Sequence, residues 1–194
     1  MACEGLLTGN ILYDCDNEMV AGIEVNVLAF NHSDIDKSAC TFSATNKMVM
    51  TNFQLKTGKT GFLIQGVKQV NALKFELVKK ELGSDRFKHT FTGIIFNLSA
   101  ENKQRLTELA RGGKIAIMVE LKWKGLNSAD AFQLAGYDSG LELQVATWGV
   151  NENDAKISIE LSSSEGYEET KPVLSVLETD YNTTSIAFGN KFIS

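Results

Sequence analysis

The segment Lys114–Lys124 sets the tightest limit on what this chain can fold into. Ile115, Ile117, Val119, Leu121 and Trp123 alternate with Lys114, Ala116, Met118, Glu120, Lys122 and Lys124. Successive side chains of a strand point to opposite faces, so this period specifies a β-strand with one face buried and the other presented to something else. The period recurs. In Gly22–Phe30 it places Ile23, Val25, Val27 and Ala29 on one face. In Gln69–Lys79 it sets Val70, Ala72, Lys74, Glu76 and Val78 against Asn71, Leu73, Phe75 and Leu77.

Shorter runs predict further strands at Leu6–Tyr13, Gly61–Val67, Phe87–Leu98, Ala131–Tyr137, Gly140–Trp148, Ala155–Leu161, Val173–Glu178 and Ile186–Ile193. Thr41–Leu55 is β-branched and aromatic without a clean period and reads as a long hairpin arm, preceded by the polar stretch Asn31–Ser43. A single proline, Pro172, stands against 16 glycines, which suits hairpins that need left-handed backbone angles.

One helix interrupts the series, Ala100–Arg111. Ser99 is placed to cap it, Glu101 sits near its positive end, and Gly112-Gly113 can end it. Leu106, Leu109 and Ala110 form one narrow apolar stripe, so the helix is expected to lie on a surface, across a sheet. About ten short strands with one inserted helix predict a mainly β chain: an antiparallel β-sandwich or barrel with an amphipathic helix at about residues 100–111. With no internal repeat or low-complexity linker, residues 1–194 read as a single domain with a long early arm or loop at about 31–55.

Charge bounds the partners. The 24 acidic residues outnumber the 19 basic ones for a net charge of -5, which disfavours a broad grip on nucleic acid but suits a surface that nucleic acid slides past. No run reaches the length of a membrane-spanning segment, and Met1–Asn10 lacks the pattern of a signal peptide. Three cysteines, Cys3, Cys15 and Cys40, without zinc-type pairing read as free thiols in a reducing compartment.

The fragments that suggest chemistry are each incomplete. Lys56–Gly61 contains Gly-Lys-Thr, but Phe53 stands where a phosphate loop needs glycine, so turn glycines are the expectation. Asp14, Asp16 and Glu18 begin like a calcium loop, yet Val25 occupies the place of the terminal acidic ligand. His32 and His89 stand outside any metal or triad spacing, and His89 falls in an alternating strand where a packed or surface histidine is ordinary. Arg111-Gly112-Gly113 reads as a helix cap, and Glu165-Gly166-Tyr167-Glu168-Glu169 as a solvated acidic loop. Trp123 and Trp148 end strands and are expected to pack in a core or a subunit interface. The expectation is therefore no enzyme, no cofactor and no metal.

Three features carry a family resemblance: the early arm Asn31–Leu55, the helix Ala100–Arg111 feeding directly into Lys114–Lys124, and a C-terminal half in which Gly136-Tyr137-Asp138-Ser139-Gly140-Leu141 leads to Trp148-Gly149 and Ile157–Leu161. In these the chain resembles the tail tube proteins of long-tailed bacteriophages, and its opening and C-terminal segments look like virion proteins of phages infecting Bacteroides-type hosts. The resemblance implies a structural virion protein, assembled in the host cytoplasm and located in the tail. Homohexameric rings would join their sheets into an inner barrel and stack into a tube, contacting other tail proteins. The early arm would reach an adjacent ring, and DNA would pass an acidic lumen without specific binding.

Apolar side chains on the second faces of strands are the expected subunit contacts: Leu28, Phe30, Met48, Met50, Ala116 and Met118. The alternatives are a β-sandwich carbohydrate-binding module and a tail connector or baseplate ring protein.

Overall fold

The computed structural model describes residues 9–11, 18–66, 70–151 and 156–191. Most of the predicted strand Leu6–Tyr13, the acidic residues Asp14 and Asp16, and the cysteines Cys3 and Cys15 lie outside them. Among the described residues the chain is mainly β, as the alternation predicts. The elements run β1 (Ile23–Asn31), β2 (Thr41–Phe42), β3 (Val49–Asn52), β4 (Phe62–Gln65), β5 (Ala72–Val78), β6 (Arg86–Ile95), α1 (Ala100–Ala110), β7 (Ile115–Leu121), β8 (Phe132–Ala135), β9 (Glu142–Thr147), β10 (Ile157–Ser162), β11 (Leu174–Val176) and α2 (Tyr181–Asn190).

The strands form two sheets. The large one has seven strands in the order β2-β3-β11-β8-β7-β1-β4, and the small one four in the order β5-β6-β10-β9. Every pairing is antiparallel except β3 with β11.

The large sheet is a middle layer. One face (Val27, Ala29, Ile115, Ile117, Val119, Ala135) packs on the inner face of the small sheet through Phe91, Ile157, Ile159 and Leu161. Its other face (Leu28, Phe30, Met50, Ala116, Met118, Phe132, Leu134, Leu174, Val176) is covered by the early arm through Ile35, Cys40 and Phe53, and by Phe188 of α2. β7 sits between β8 and β1 near the centre, which explains why both of its faces are buried where the alternation predicted only one.

The early arm does not extend away from the body. β3 pairs in parallel with β11, Ser175 opposite Val49 and Val176 opposite Met50, so the arm forms one edge of its own large sheet. Phe53 is fully buried against Phe30, ring centroids 4.9 Å apart.

A second helix corrects the predicted strand Ile186–Ile193, because α2 occupies Tyr181–Asn190. Its start is fixed locally. The Asp180 carboxylate accepts the Thr183 N–H at 2.8 Å, while the Thr184 hydroxyl donates to the Asp180 carbonyl and accepts the Glu178 N–H. Thr184 and Phe188, four residues apart, share the buried face, and Phe188 meets Phe132 at 5.1 Å between centroids. Burying a phenylalanine side chain contributes about 1.5–3 kcal/mol, which outweighs the weak helix propensity of Asn182-Thr183-Thr184.

α1 forms as its sequence predicts. Ser99 Oγ accepts the Asn102 N–H at 3.1 Å, and Gly112 follows at φ +92°. Leu106 and Leu109 pack beside the core shared by the two sheets.

Candidate functional site

Among the described residues, the small sheet ends in two strands with no strand beyond them, β5 and β9. Each such edge carries a row of backbone N–H and C=O groups available to another chain. On β5, Leu73, Phe75 and Leu77 lie opposite Phe91, His89 and Phe87 of β6 and so share the inner face. Phe91 is buried in the core and Leu73 packs against it, but Phe75 and Leu77 remain 46% and 52% exposed. At the opposite edge, Val145 of β9 is 45% exposed and Trp148, just past its end, 44%. The two edges therefore pair open backbone with uncovered apolar side chains.

The outer face of the small sheet follows from its register. Lys74, Glu76, Arg86, Lys88, Thr90, Thr92, Ser158, Glu160, Glu142, Val145 and Thr147 share it. Basic and acidic groups are mixed there, and Lys74 pairs with Glu76 at 3.4 Å.

A second feature lies at the β4 edge of the large sheet. Between β4 and α1 runs a cleft of about 800 Å³, its walls including Ile64, Ile95, Leu106, Leu109 and Ile159. Phe62 and Leu63 of β4 are exposed at its rim.

The residues expected to form subunit contacts are placed differently. Leu28, Phe30, Met50 and Ala116 are fully buried in the chain's own core, and Met118 is 2% exposed. Met48 is half-buried and packs on the same cluster. The expectation assumed a two-layer sandwich that would leave these side chains bare, but the arm and α2 supply the third layer.

The incomplete motifs resolve into structure. Lys56–Gly61 is a turn, with the Lys59 N–H donating to the Lys56 carbonyl at 3.0 Å and the Lys59 ammonium 3.4 Å from Asp34. Arg111 is the C-cap of α1. The acidic loop is solvated at Glu165, Gly166 and Tyr167, as expected, but not at its last two residues. Glu168 is buried and pairs with Lys80 at 2.9 Å, and Glu169 is 2% exposed.

Glu169 belongs to a polar hub that sequence reading missed. Its carboxylate accepts the N–H groups of Asp138 at 2.6 Å and Ser139 at 3.0 Å, and its backbone pairs with Phe87. Asp138 answers by accepting the Thr170 N–H and hydroxyl. His89 is buried beside them. Its Nε2–H donates to the Lys171 carbonyl at 2.9 Å, and its bare Nδ1 accepts the Gly136 N–H at 3.2 Å. That pair of contacts requires the neutral imidazole, and burial lowers its pKa to about 4.

Burial also raises the pKa of Glu169, against the amide bonds it accepts. On the far side of the loop, the Nε2 of His32 lies 3.0 Å from the Tyr137 carbonyl and 3.2 Å from that of Asp138. The Lys37 ammonium donates to the Asp138 carbonyl at 2.8 Å. No group of three or more His, Cys, Asp or Glu placed to hold a metal occurs among the described residues.

No family model, no curated protein and no solved structure matches the chain, so its functional reading rests on the fold and on these residues.

Proposed function

We propose that this chain is a ring-forming structural subunit, a tail tube protein of the kind found in long-tailed bacteriophages. One observation carries the reading: among the described residues the small sheet has two open edges, each with half-exposed apolar side chains beside it. Pairing β5 of one copy with β9 of the next is a head-to-tail contact, and such contacts generate rings when the rotation closes. It also covers the edges that would otherwise template uncontrolled pairing. Six copies joined in this way close a barrel to which each contributes four strands.

In that barrel the outer face of the small sheet becomes the lumen. Its strands place Lys74, Arg86 and Lys88 against Glu76, Glu142 and Glu160, a mixed surface rather than the acidic one the family resemblance implies. A lumen without a basic excess of more than a residue or so per copy still gives DNA little to hold, since phosphate binding scales with the cations engaged. The early arm packs on its own sheet, so contacts between stacked rings fall to other surfaces, with β4 and its cleft exposed for that role.

The test is negative-stain electron microscopy of the purified chain over a concentration series. Rings or stacked tubes with a central hole are the expected result. A monodisperse monomer at every concentration, together with no assembly when tail extracts are added, would overturn the reading.

A further inference from the structure

The loop Gly136–Gly140 is held from two sides by segments distant in sequence. From one side come His89 of β6 and the strap Glu168–Lys171. From the other come His32 and Lys37 of the early arm, with Phe42 edge-on to Tyr137 at 5.7 Å. The strap also touches the arm directly, since the Lys171 ammonium donates to the Lys47 carbonyl and lies 4.6 Å from the Phe42 ring centre. The loop is thus the shared anchor of strap and arm.

Its backbone has no slack. Gly136 is at φ +74°, and a side chain there would come within 3.0 Å of the Ile115 carbonyl oxygen. Its N–H is committed to His89 Nδ1.

We propose that this hub is an acid-released latch, in which proton uptake by His89 frees the Gly136–Gly140 loop and the strap and loosens the early arm. The step is a simple proton transfer from solvent. Protonation converts Nδ1 from an acceptor to a donor, so an N–H of the ring would point at the N–H of Gly136 and the bond between them is lost. A cation would also be left buried, with Nε2 still donating to Lys171.

The ionisable groups around His89 set the balance. Asp138 favours its protonation, and the Lys171 ammonium is turned away toward Phe42. Glu168 is neutralised by Lys80, and Lys37 and His32 act on the opposite side of the loop. Glu169 works against release, because its raised pKa means that acid relieves the cost of burying its charge. Burial and Lys37 lower the pKa of His32 as well, so acid strains the loop from that side in the same sense, while an Nε2–H there still donates to the loop carbonyls. The bond that acid breaks is the one from Gly136 to His89.

Hydrogen exchange of the full chain between about pH 7.5 and about pH 4.5, corrected for intrinsic rates, tests this. The amides of residues 136–140 and 163–172 and of the arm near 32–42 should exchange faster together, on the order of fifty-fold, while β7 and β10 stay protected. The lowered pKa of His89 supports this magnitude. Loss of protection in these segments only in step with β7, or no loss at all, would overturn the latch.

His89→Gln should remove most of the acid-induced loosening, and Glu169→Gln should keep it and steepen it. If His89→Gln does not fold, nitrogen NMR of His89 in the unaltered chain decides. Conversion of Nδ1 from bare to protonated should coincide with release, and a different midpoint would overturn the latch.

Discussion

Leu28 of β1 and Met118 of β7 stand directly opposite each other in the large sheet, and both point away from the small sheet into the core beneath the arm and α2. Their burial turns Met118 into a test of folding. Met118→Glu would force a carboxylate into an apolar layer and should cost more than about 3 kcal/mol, with loss of the cooperative transition in urea. Met118→Ala should cost about 2–5 kcal/mol and keep the fold. A Met118→Glu chain of unaltered stability would show that this face is open.

Assembly should depend on the small sheet's edges instead. Leu77→Lys on β5 and Val145→Lys on β9 each place a charge beside an edge that the ring would bury, at side chains half-exposed in the single chain. Each should leave the unfolding midpoint within about 0.5 kcal/mol of the parent and abolish rings in the microscope. Rings that persist in both variants would move the contact to another surface.

Acid should lower overall stability through His89. Free in the unfolded chain, the imidazole takes a proton near pH 6.5, whereas in the folded chain burial delays this to about 4. Its contribution is therefore complete above the unfolded value and is lost as pH falls through that window, about 3 kcal/mol in total. Glu169, shifted upward, acts in the opposite sense and recovers part of this as pH falls from its raised folded value to the ordinary carboxylate value. Urea titrations at several pH values measure the slope, which should flatten in His89→Gln.

Gly61 has a steric rather than a conformational role. A side chain at this position would lie 2.7 Å from Leu28 Cδ2 and 2.8 Å from Phe30 Cε1, and the Gly61 N–H donates to the Lys191 carbonyl at 2.8 Å. Gly61→Ala should cost about 1–3 kcal/mol through overpacking. Thermal unfolding of the variant checks it, and an unchanged midpoint would mean that Phe30 can move.

The strands with regular alternation were legible in the sequence, as in Lys114–Lys124, Gly22–Phe30 and Ile157–Leu161, because period two is a local property. What lies on each side of a strand is not local. Ala116 and Met118 read as a face awaiting a partner, but residues far along the chain, Phe53 and Phe188, already cover that side. α2 was missed because Thr183, Thr184 and Ile186 are β-branched, yet Asp180 three residues before Thr183 is a capping signal that could have found it.

The hub was invisible for a similar reason. His89, Gly136 and Glu169 meet only after the sheets have packed, and the acidic run near Glu168 looks the same in sequence whether it is buried or wet. The open edges of the small sheet depend on strand order, which alternation does not encode.

Strand order has a consequence for how the protein is made. β11, at Leu174–Val176, lies between β3 and β8, so it is the piece that joins the early arm to the rest of the large sheet. A ribosome delivers β2 and β3 more than a hundred residues before this partner exists. Until then Met50 and Phe53 have no completed layer to enter, and the half-built sheet offers its apolar face to other nascent chains. Synthesis of this fold therefore leaves a long interval of exposure, in which a holding chaperone would have its greatest effect on yield.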